Sequence, residues 1–413
     1  MSYKIIASNT FYQLLARFGT VGFMFLLSIF LARQNQGTVW GEYSVVLNYI
    51  ALFYMLADFG INILVVKDYS QNENLLKTDF VKLFGFKLIA GILLSLVVAF
   101  TAFLLPYSAE VKSSIIFGSV LVLIFSLQTS FSAIFQTKFE YWKLAVVNVL
   151  IGAFVFIGVV AYIFNSQTVL LKDIVAITVF GYLIGLFLSI FITKQHVKYN
   201  IKSLIDWAYS RIILQRSVFI GLTIVLNSFM FSGDKFILSL FRDSFEVGLY
   251  SLAYKLFELY LVLPTFIMNS YYPLLVKIRD NNPIQFISQI ENITFKLFGM
   301  WVILTGFVWF GGSYFIPILW GSHMLEAVKP FTILMAISLP FFITAPLTWI
   351  FYIENRHKQL LGIYFSGFIF NIVLNLIFIP IYGQISAAYI TGFTEVFVLG
   401  FLVLNLFSRK QHS

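Results

Sequence analysis

The chain has 413 residues, of which 60% are hydrophobic and only 11% charged, and its mean hydropathy is +0.91. A soluble domain carries roughly 25% charged residues, so this composition excludes a soluble globular protein and predicts an integral membrane protein. The absence of cysteine excludes disulfides and thiolate metal sites. The net charge of +9 fits the lysine and arginine excess of cytoplasmic loops better than nucleic-acid binding.

Apolar runs long enough to cross a bilayer, about 20 residues each as helix, follow one another along the whole chain. The first of them stays as a spanning helix, because it is too long for the apolar core of a signal peptide and contains Arg17. The runs cover residues 10–32, 43–66, 80–105, 113–136, 144–164, 173–193, 217–240, 248–273, 293–316, 328–351, 359–380 and 384–407.

These runs predict an all-α integral membrane protein with twelve transmembrane helices in two six-helix lobes. The N-terminal lobe is predicted over residues 1–193 and the C-terminal lobe over 217–413, with a polar connector at 194–216. Apolar residues recur in the connector at steps of three and four, which predicts a short amphipathic helix. Its bases would rest on anionic lipid headgroups. They are Lys194, Lys198, Lys202, Arg211 and Arg216.

The distribution of loop charges predicts the orientation of the chain. The loops on the side of the N-terminus hold about three times as many lysine and arginine residues as the loops on the opposite side. Both termini and the connector are therefore expected in the cytoplasm, which makes the chain a multi-pass protein of the cytoplasmic membrane.

Two similar segments indicate an internal repeat. Gly-Glu-Tyr-Ser at 41–44 opens the second run, and Gly-Leu-Tyr-Ser at 248–251 opens the eighth. Because an even number of helices separates them, the two halves would have the same orientation in the membrane. Parallel repeats of this kind usually enclose a central cavity, here predicted between spans 1, 2, 7 and 8.

Charged residues inside the runs are the candidates for function, because a charge at the bilayer centre costs about 2.5–3.5 kcal/mol unless it faces protein or water. Some have structural explanations. Lys87 is interpreted as reaching to the membrane surface, and Lys255 with Glu258 can form a structural bridge. Asn371 and Asn375 are interpreted as interhelical hydrogen-bonding residues. The functional candidates are Arg17, Asp58, Asp234, Lys235, Lys255, Glu258 and Glu395.

Five segments of the chain carry a resemblance: 56–60 (LADFG), 233–238 (GDKFIL), 247–250 (VGLY), 319–321 (LWG) and 371–388 (NIVLNLIFIPIYGQISAA). They resemble the O-antigen and capsular polysaccharide flippases of the Wzx type, in the multidrug/oligosaccharidyl-lipid/polysaccharide exporter superfamily. The similarity extends over nearly the whole chain. One departure is Ser386, where the family usually has a glycine.

This resemblance implies export of an undecaprenyl-diphosphate-linked oligosaccharide by alternating access of the two lobes, for O-antigen, lipopolysaccharide or capsule synthesis. A diphosphate needs cationic partners in an apolar cavity, and Arg17, Lys235 and Lys255 would supply them. Carboxylates in the cavity would carry a coupling H⁺ or Na⁺ or act in gating; these are Asp58, Asp234, Glu258 and Glu395. A polysaccharide polymerase and a chain-length regulator are the implied protein partners, and no resident cofactor, metal or nucleic acid is expected.

Other functions remain open at the sequence level. A multidrug or cation antiporter of the same superfamily would bind cations, and three candidate bases against four candidate acids do not decide between the two substrates. An enzyme such as a polysaccharide polymerase needs a sizeable outer loop for its catalytic groups, whereas the outer loops here are short. The charged stripes also argue against a purely structural subunit.

Overall fold

The computed structural model describes residues 3–197, 204–354 and 356–407, and within these ranges it contains helices, turns and no strand. The first eight α-helices are α1 (Tyr3–Ala32), α2 (Thr38–Asp58), α3 (Ile61–Gln71), α4 (Glu73–Leu104), α5 (Ala109–Gly118), α6 (Val120–Thr137), α7 (Tyr141–Asn165) and α8 (Leu171–Thr193). The others are α9 (Trp207–Phe241), α10 (Ser244–Asn281), α11 (Pro283–Trp320), α12 (Val328–Ala336), α13 (Leu339–Ile353) and α14 (His357–Phe407).

Each predicted apolar run lies largely within these helices, so the prediction of an all-α membrane protein is confirmed. In the described part of the chain ten helices are long and apolar enough to cross a membrane, or eleven if α12 and α13 form one bent span. The helix α14 has 51 residues and is interrupted at Gly383 by a non-helical backbone (φ 58°, ψ −141°). At 1.5 Å per residue it is about two and a half times as long as the hydrocarbon core is thick, so it holds the last two predicted spans.

The chain divides into two compact units, Met1–Ser228 and Phe229–Ser413, and the division falls within α9. We call them the N-unit and the C-unit. The lobe and connector boundaries at 193 and 217 stay predictions.

Some spans are broken into two helices. The second predicted span becomes α2 and α3, because Phe59 and Gly60 adopt left-handed backbone conformations (φ 44° and 71°). A Cβ on Gly60 would also lie 2.6 Å from Cγ2 of Ile220, so both conformation and packing favour glycine there. A bend of 41° separates α12 from α13, and Pro340 lies in the first turn of α13, where a missing N–H is tolerated.

Residues 198–203 of the connector lie outside the described residues. The rest of the connector does not form a separate helix, since residues 204–206 are not helical and α9 runs without a break from Trp207 to Phe241. Asp206 accepts a hydrogen bond from the N–H of Tyr209 at 2.9 Å, as N-terminal capping residues do. The seventh predicted span therefore begins within the connector.

The described part of the connector is fixed to the N-unit. Lys82 Nζ lies 3.1 Å from Asp206 Oδ2, and Arg216 donates two hydrogen bonds to Asp68, at 2.7 and 2.9 Å. A Cβ on Gly85 would lie 1.6 Å from the carbonyl oxygen of Leu204, so the connector backbone lies directly against α4. Arg216, predicted to face lipid headgroups, has a protein carboxylate as its partner instead.

Candidate functional site

The break between α2 and α3 is held by a buried lysine. The side chain of Lys87, on α4, is 1% exposed and donates hydrogen bonds to Asp58 Oδ1 at 2.7 Å and Thr129 Oγ1 at 3.0 Å. It also donates to the carbonyl of Ala57 at 3.4 Å, in the last turn of α2, where carbonyls lose their helical partners. The interpretation of Lys87 as a residue reaching to the membrane surface is therefore wrong. Asp58 and Lys87 neutralise each other inside the N-unit.

Arg17 differs from Lys87 in its surroundings. It lies in the middle of α1, one turn before Thr20, whose hydroxyl donates to the Arg17 carbonyl at 3.1 Å. Its side chain is exposed, and no acidic side chain among the described residues forms an ion pair with it. Arg17 is thus a cation within an apolar span whose guanidinium is open to an anion.

The repeated tyrosines occupy matching places in their units. In the N-unit the hydroxyl of Tyr43, on α2, lies 2.9 Å from the hydroxyl of Thr178 on α8. In the C-unit the hydroxyl of Tyr250, on α10, lies 3.5 Å from the hydroxyl of Thr391 on α14. The same contact thus joins the second and the last predicted spans of each half, as a parallel internal repeat requires.

Only the C-unit adds a carboxylate to this contact. Asp234, on α9, is 1% exposed and accepts hydrogen bonds from the hydroxyl of Tyr250 and from the backbone N–H of Lys235, the latter at 2.7 Å. The hydroxyl of Thr391 lies 3.3 Å away from the same carboxylate. The hydrogen bonds that Asp234 accepts therefore come from two hydroxyl groups and one backbone N–H.

Lys235 points its ammonium group elsewhere. Its Nζ lies 3.0 Å from Glu258 Oε1, and 4.2 Å from the ring centroid of Tyr254. The side chain of Lys235 is 9% exposed and that of Glu258 is 47% exposed. Glu258 thus pairs with a lysine of α9. Its pairing with Lys255, one turn away on α10, stays a prediction. Lys255 is half-buried.

The other predicted residues of the C-unit lie on α14. Glu395 is buried and accepts a hydrogen bond from the hydroxyl of Thr344 on α13. Asn371 donates to Thr394 at 3.0 Å, and Asn375 donates to Asn371 at 2.9 Å. The interpretation of the two asparagines as hydrogen-bonding residues between spans is confirmed.

The structure therefore brings Asp234, Lys235 and Glu258 together on α9 and α10, while Arg17 and Asp58 belong to the N-unit. The sequence interpretation did not pair these charges with their neutral partners. Two of the partners carried a signal, Tyr250 as the tyrosine of the repeat and Thr391 as a polar residue within the last span. No three acidic or histidine side chains are grouped around a metal site in the ranges that the structure describes. The neutral partners are Thr129, Tyr250, Thr344 and Thr391.

The chain is similar to known proteins in sequence and in fold. The model of the family described as polysaccharide biosynthesis protein matches residues 6–279, more than half of the chain. A probable flippase, AglR of Haloferax volcanii, is 28% identical over 163 residues, which are 38% of this chain and 34% of that protein. The alignment thus spans about a third of that relative's length.

Solved transporters share the fold at low sequence identity. An inward-facing multidrug resistance MATE family transporter of the MOP superfamily matches with a TM-score of 0.76 at 11% identity, over 98% of this chain and 99% of that one. The lipid II flippase MurJ matches with a TM-score of 0.65 at 15% identity, over 93% and 87%. A MOP superfamily transporter of Pyrococcus furiosus matches with a TM-score of 0.64 at 12% identity, over 99% and 95%.

The family match and the transporter fold together indicate a transporter rather than an enzyme. Both also agree with the resemblance found in the sequence segments. The chain belongs to the polysaccharide biosynthesis protein family and has the two-lobe membrane fold of MOP superfamily transporters.

Proposed function

We propose that the chain is a flippase that moves an undecaprenyl-diphosphate-linked oligosaccharide from the cytoplasmic to the outer leaflet of the inner membrane, by alternating access, for O-antigen, lipopolysaccharide or capsule synthesis. The family match supports a role in polysaccharide biosynthesis. The relative named a probable flippase and the fold likeness to a lipid II flippase support a lipid-linked substrate. Both termini would lie in the cytoplasm.

The exposed guanidinium of Arg17 is the observation that supports this proposal most strongly. An arginine in an apolar span is expensive unless it meets water or an anion, and Arg17 forms no ion pair with another described residue. A guanidinium binds phosphate oxygens in a bidentate geometry. Arg17 would therefore bind the diphosphate, with Lys235 and Lys255 as further contacts in the translocation cavity.

The buried carboxylates of the C-unit would couple transport to an ion gradient. Asp234 and Glu395 are held by hydroxyl and backbone N–H donors rather than by a lysine or arginine side chain. Protonation or Na⁺ binding would therefore change the net charge of the C-unit, which links ion binding to the anionic substrate. Asp58 is less suited to coupling, because Lys87 already neutralises it.

A complementation experiment tests the function and the role of Arg17. In a strain without the gene, lipid-linked oligosaccharide should accumulate on the cytoplasmic leaflet, and the wild-type gene should restore surface polysaccharide. Arg17→Ala should abolish export at unchanged protein level, and Arg17→Lys should retain part of it because the charge stays. Arg211→Ala, an exposed arginine outside the core of the spans, is the matched control and should export normally.

Normal surface polysaccharide in the deletion strain, with no second exporter present, would contradict the flippase proposal. Full export by Arg17→Ala would instead contradict only the role of Arg17. Collapse of the proton gradient or of the Na⁺ gradient would identify the coupling ion. Co-purification would test the polymerase and the chain-length regulator as partners.

A cation antiporter is the second candidate, because Asp234 and Glu395 are buried acids within the spans that accept hydrogen bonds from hydroxyl groups. This function predicts efflux of a lipophilic cation such as ethidium from cells that express the chain. Efflux that is lost in Asp234→Asn, together with normal lipid-linked oligosaccharide in the deletion strain, would favour the antiporter.

A further inference from the structure

The ion pair of Lys235 with Glu258 is uneven in burial. The side chain of Lys235 is 9% exposed, whereas that of Glu258 is 47% exposed. The ammonium lies 4.2 Å from the centroid of the Tyr254 ring, and Glu258 Oε1 lies 3.0 Å from Nζ. The carboxylate therefore pairs with the charge of the lysine and the aromatic face stabilises it further, and of the two ion-pair partners the carboxylate is the more exposed.

Because of this difference in burial, another anion can take the place of the Glu258 carboxylate, whereas the Lys235 ammonium stays where it is. A buried ammonium without an anion is costly, because it has lost its water and gained no partner. A carboxylate that is already half-exposed can turn away from the lysine if it faces the water of the proposed translocation cavity. An anion therefore stabilises Lys235, but the anion does not have to be Glu258.

We propose that Glu258 is a resident counter-anion of Lys235, and that the diphosphate of the lipid-linked substrate displaces it on binding. This inference rests on the proposed function, because it assumes a lipid diphosphate as the ligand. Phosphate oxygens are acceptors for an ammonium group in the same way as a carboxylate oxygen is. The exchange is non-covalent: Lys235 keeps one anionic partner, and Glu258 becomes free to turn towards solvent.

In the transporter without substrate, Glu258 would therefore keep its ion pair with Lys235. This pair would lower the affinity of Lys235 for every competing anion. Part of the intrinsic affinity for diphosphate is used to break the resident pair, as in any competition between an internal and an external ligand. This assigns Glu258 to substrate affinity, whereas the sequence had grouped it with the coupling or gating residues.

The test uses the full chain in nanodiscs of zwitterionic lipid and radiolabelled geranylgeranyl diphosphate as the probe, with geranylgeraniol as the uncharged comparison. Glu258→Gln should tighten diphosphate binding about five- to tenfold, within the range of coupled equilibria. Glu258→Asp should also tighten it, because the shorter side chain keeps its charge and loses its reach. Glu291→Gln, an exposed acid on α11, is the matched control and should leave the dissociation constant unchanged.

The double variant separates competition from general repulsion. In a Lys235→Met background, Glu258→Gln should have a clearly smaller effect, because the lysine that Glu258 pairs with is gone. An equal tightening in that background would show that Glu258 only repels anions and would overturn the inference. An unchanged dissociation constant in Glu258→Gln, with tight wild-type binding of the diphosphate, would overturn it as well and leave the proposed function intact. Equal binding of geranylgeranyl diphosphate and geranylgeraniol by the wild type would contradict both.

Discussion

Each unit contains a buried lysine within the membrane, and the two lysines differ in how they are neutralised. Lys87 in the N-unit reaches a carboxylate, a hydroxyl and a backbone carbonyl, and its carboxylate partner is 19% exposed. Lys235 in the C-unit has the half-exposed Glu258 and an aromatic ring. The first pair closes a helix end, whereas the second can open without breaking a helix. The burial of the carboxylate, rather than that of the lysine, therefore separates a structural pair from an exchangeable one.

The repeated tyrosines differ in a similar way. Tyr43 meets a threonine hydroxyl, whereas Tyr250 also donates to the buried Asp234. Both units of the internal repeat thus contain a contact between a tyrosine and a threonine hydroxyl. Among the described residues, only the contact in the C-unit also includes an acidic side chain. Variants that are matched between the units test both contrasts.

The largest expected effect is the loss of the carboxylate from the structural pair. Asp58→Asn leaves the buried Lys87 without its anion and should lower the free energy of unfolding by about 3–5 kcal/mol. Equilibrium unfolding of the purified protein in mixed micelles measures this value. Asp58→Leu combined with Lys87→Met removes both charges and should regain most of the loss. Wild-type stability of Asp58→Asn would show that Lys87 does not depend on this pair.

The tyrosine contrast should give an intermediate effect. Tyr250→Phe removes a hydrogen bond to a carboxylate and should lower the free energy of unfolding by about 1.5–3 kcal/mol. Tyr43→Phe removes only a bond between neutral hydroxyls and should cost about 0.5–1.5 kcal/mol. The same unfolding assay compares them, and equal losses would mean that Asp234 does not depend on the Tyr250 hydroxyl.

A smaller effect on stability is expected for the exchangeable pair. Glu258→Gln should lower the free energy of unfolding by about 1 kcal/mol. The loss is smaller than for Asp58→Asn because Lys235 keeps the Tyr254 ring and because Glu258 is half-exposed. The measurement is the difference in free energy of unfolding between Glu258→Gln and Asp58→Asn under identical conditions. A loss as large as that of Asp58→Asn would place both pairs in the structural class.

The smallest effect concerns a carboxylate outside the membrane. The N–H of Tyr209 and the Lys82 ammonium lower the pKa of Asp206. Its folded pKa lies below the unfolded value of about 3.9, so its stabilisation is present above that pH and is lost as the pH falls through the folded pKa. Asp206→Asn should therefore be slightly less stable than wild type at pH 7 and equal to it near pH 2. A difference that persists at low pH would show that Asp206 acts through packing.

The sequence predicted the spans well because their signal is local. A run of about 20 apolar residues satisfies the backbone only as a helix in lipid, so its position can be read without knowledge of the rest of the fold. The breaks were harder to predict. Gly60 carried a weak signal for the end of α2, but a glycine inside an apolar run is common in membrane helices.

The charged partners could not be predicted from the sequence. Lys87 and Asp58 are 29 residues apart, and Lys235 and Glu258 are 23 apart, each pair on two different helices. Helical spacing alone favoured Lys255 as the partner of Glu258, because residues three apart on one helix are neighbours. In the structure Nζ of Lys235, on α9, lies 3.0 Å from Oε1 of the same carboxylate.

The sequence by itself determined that the chain is a helical membrane protein, where most of its spans lie, and which few residues are charged inside them. These properties depend on hydrophobicity and length, which act on each segment separately. Only the tertiary structure decided which of those charges neutralise one another and how deeply each is buried. The energy of a charge in a membrane protein depends on its nearest partners and on its contact with water, and both are set by how the helices pack.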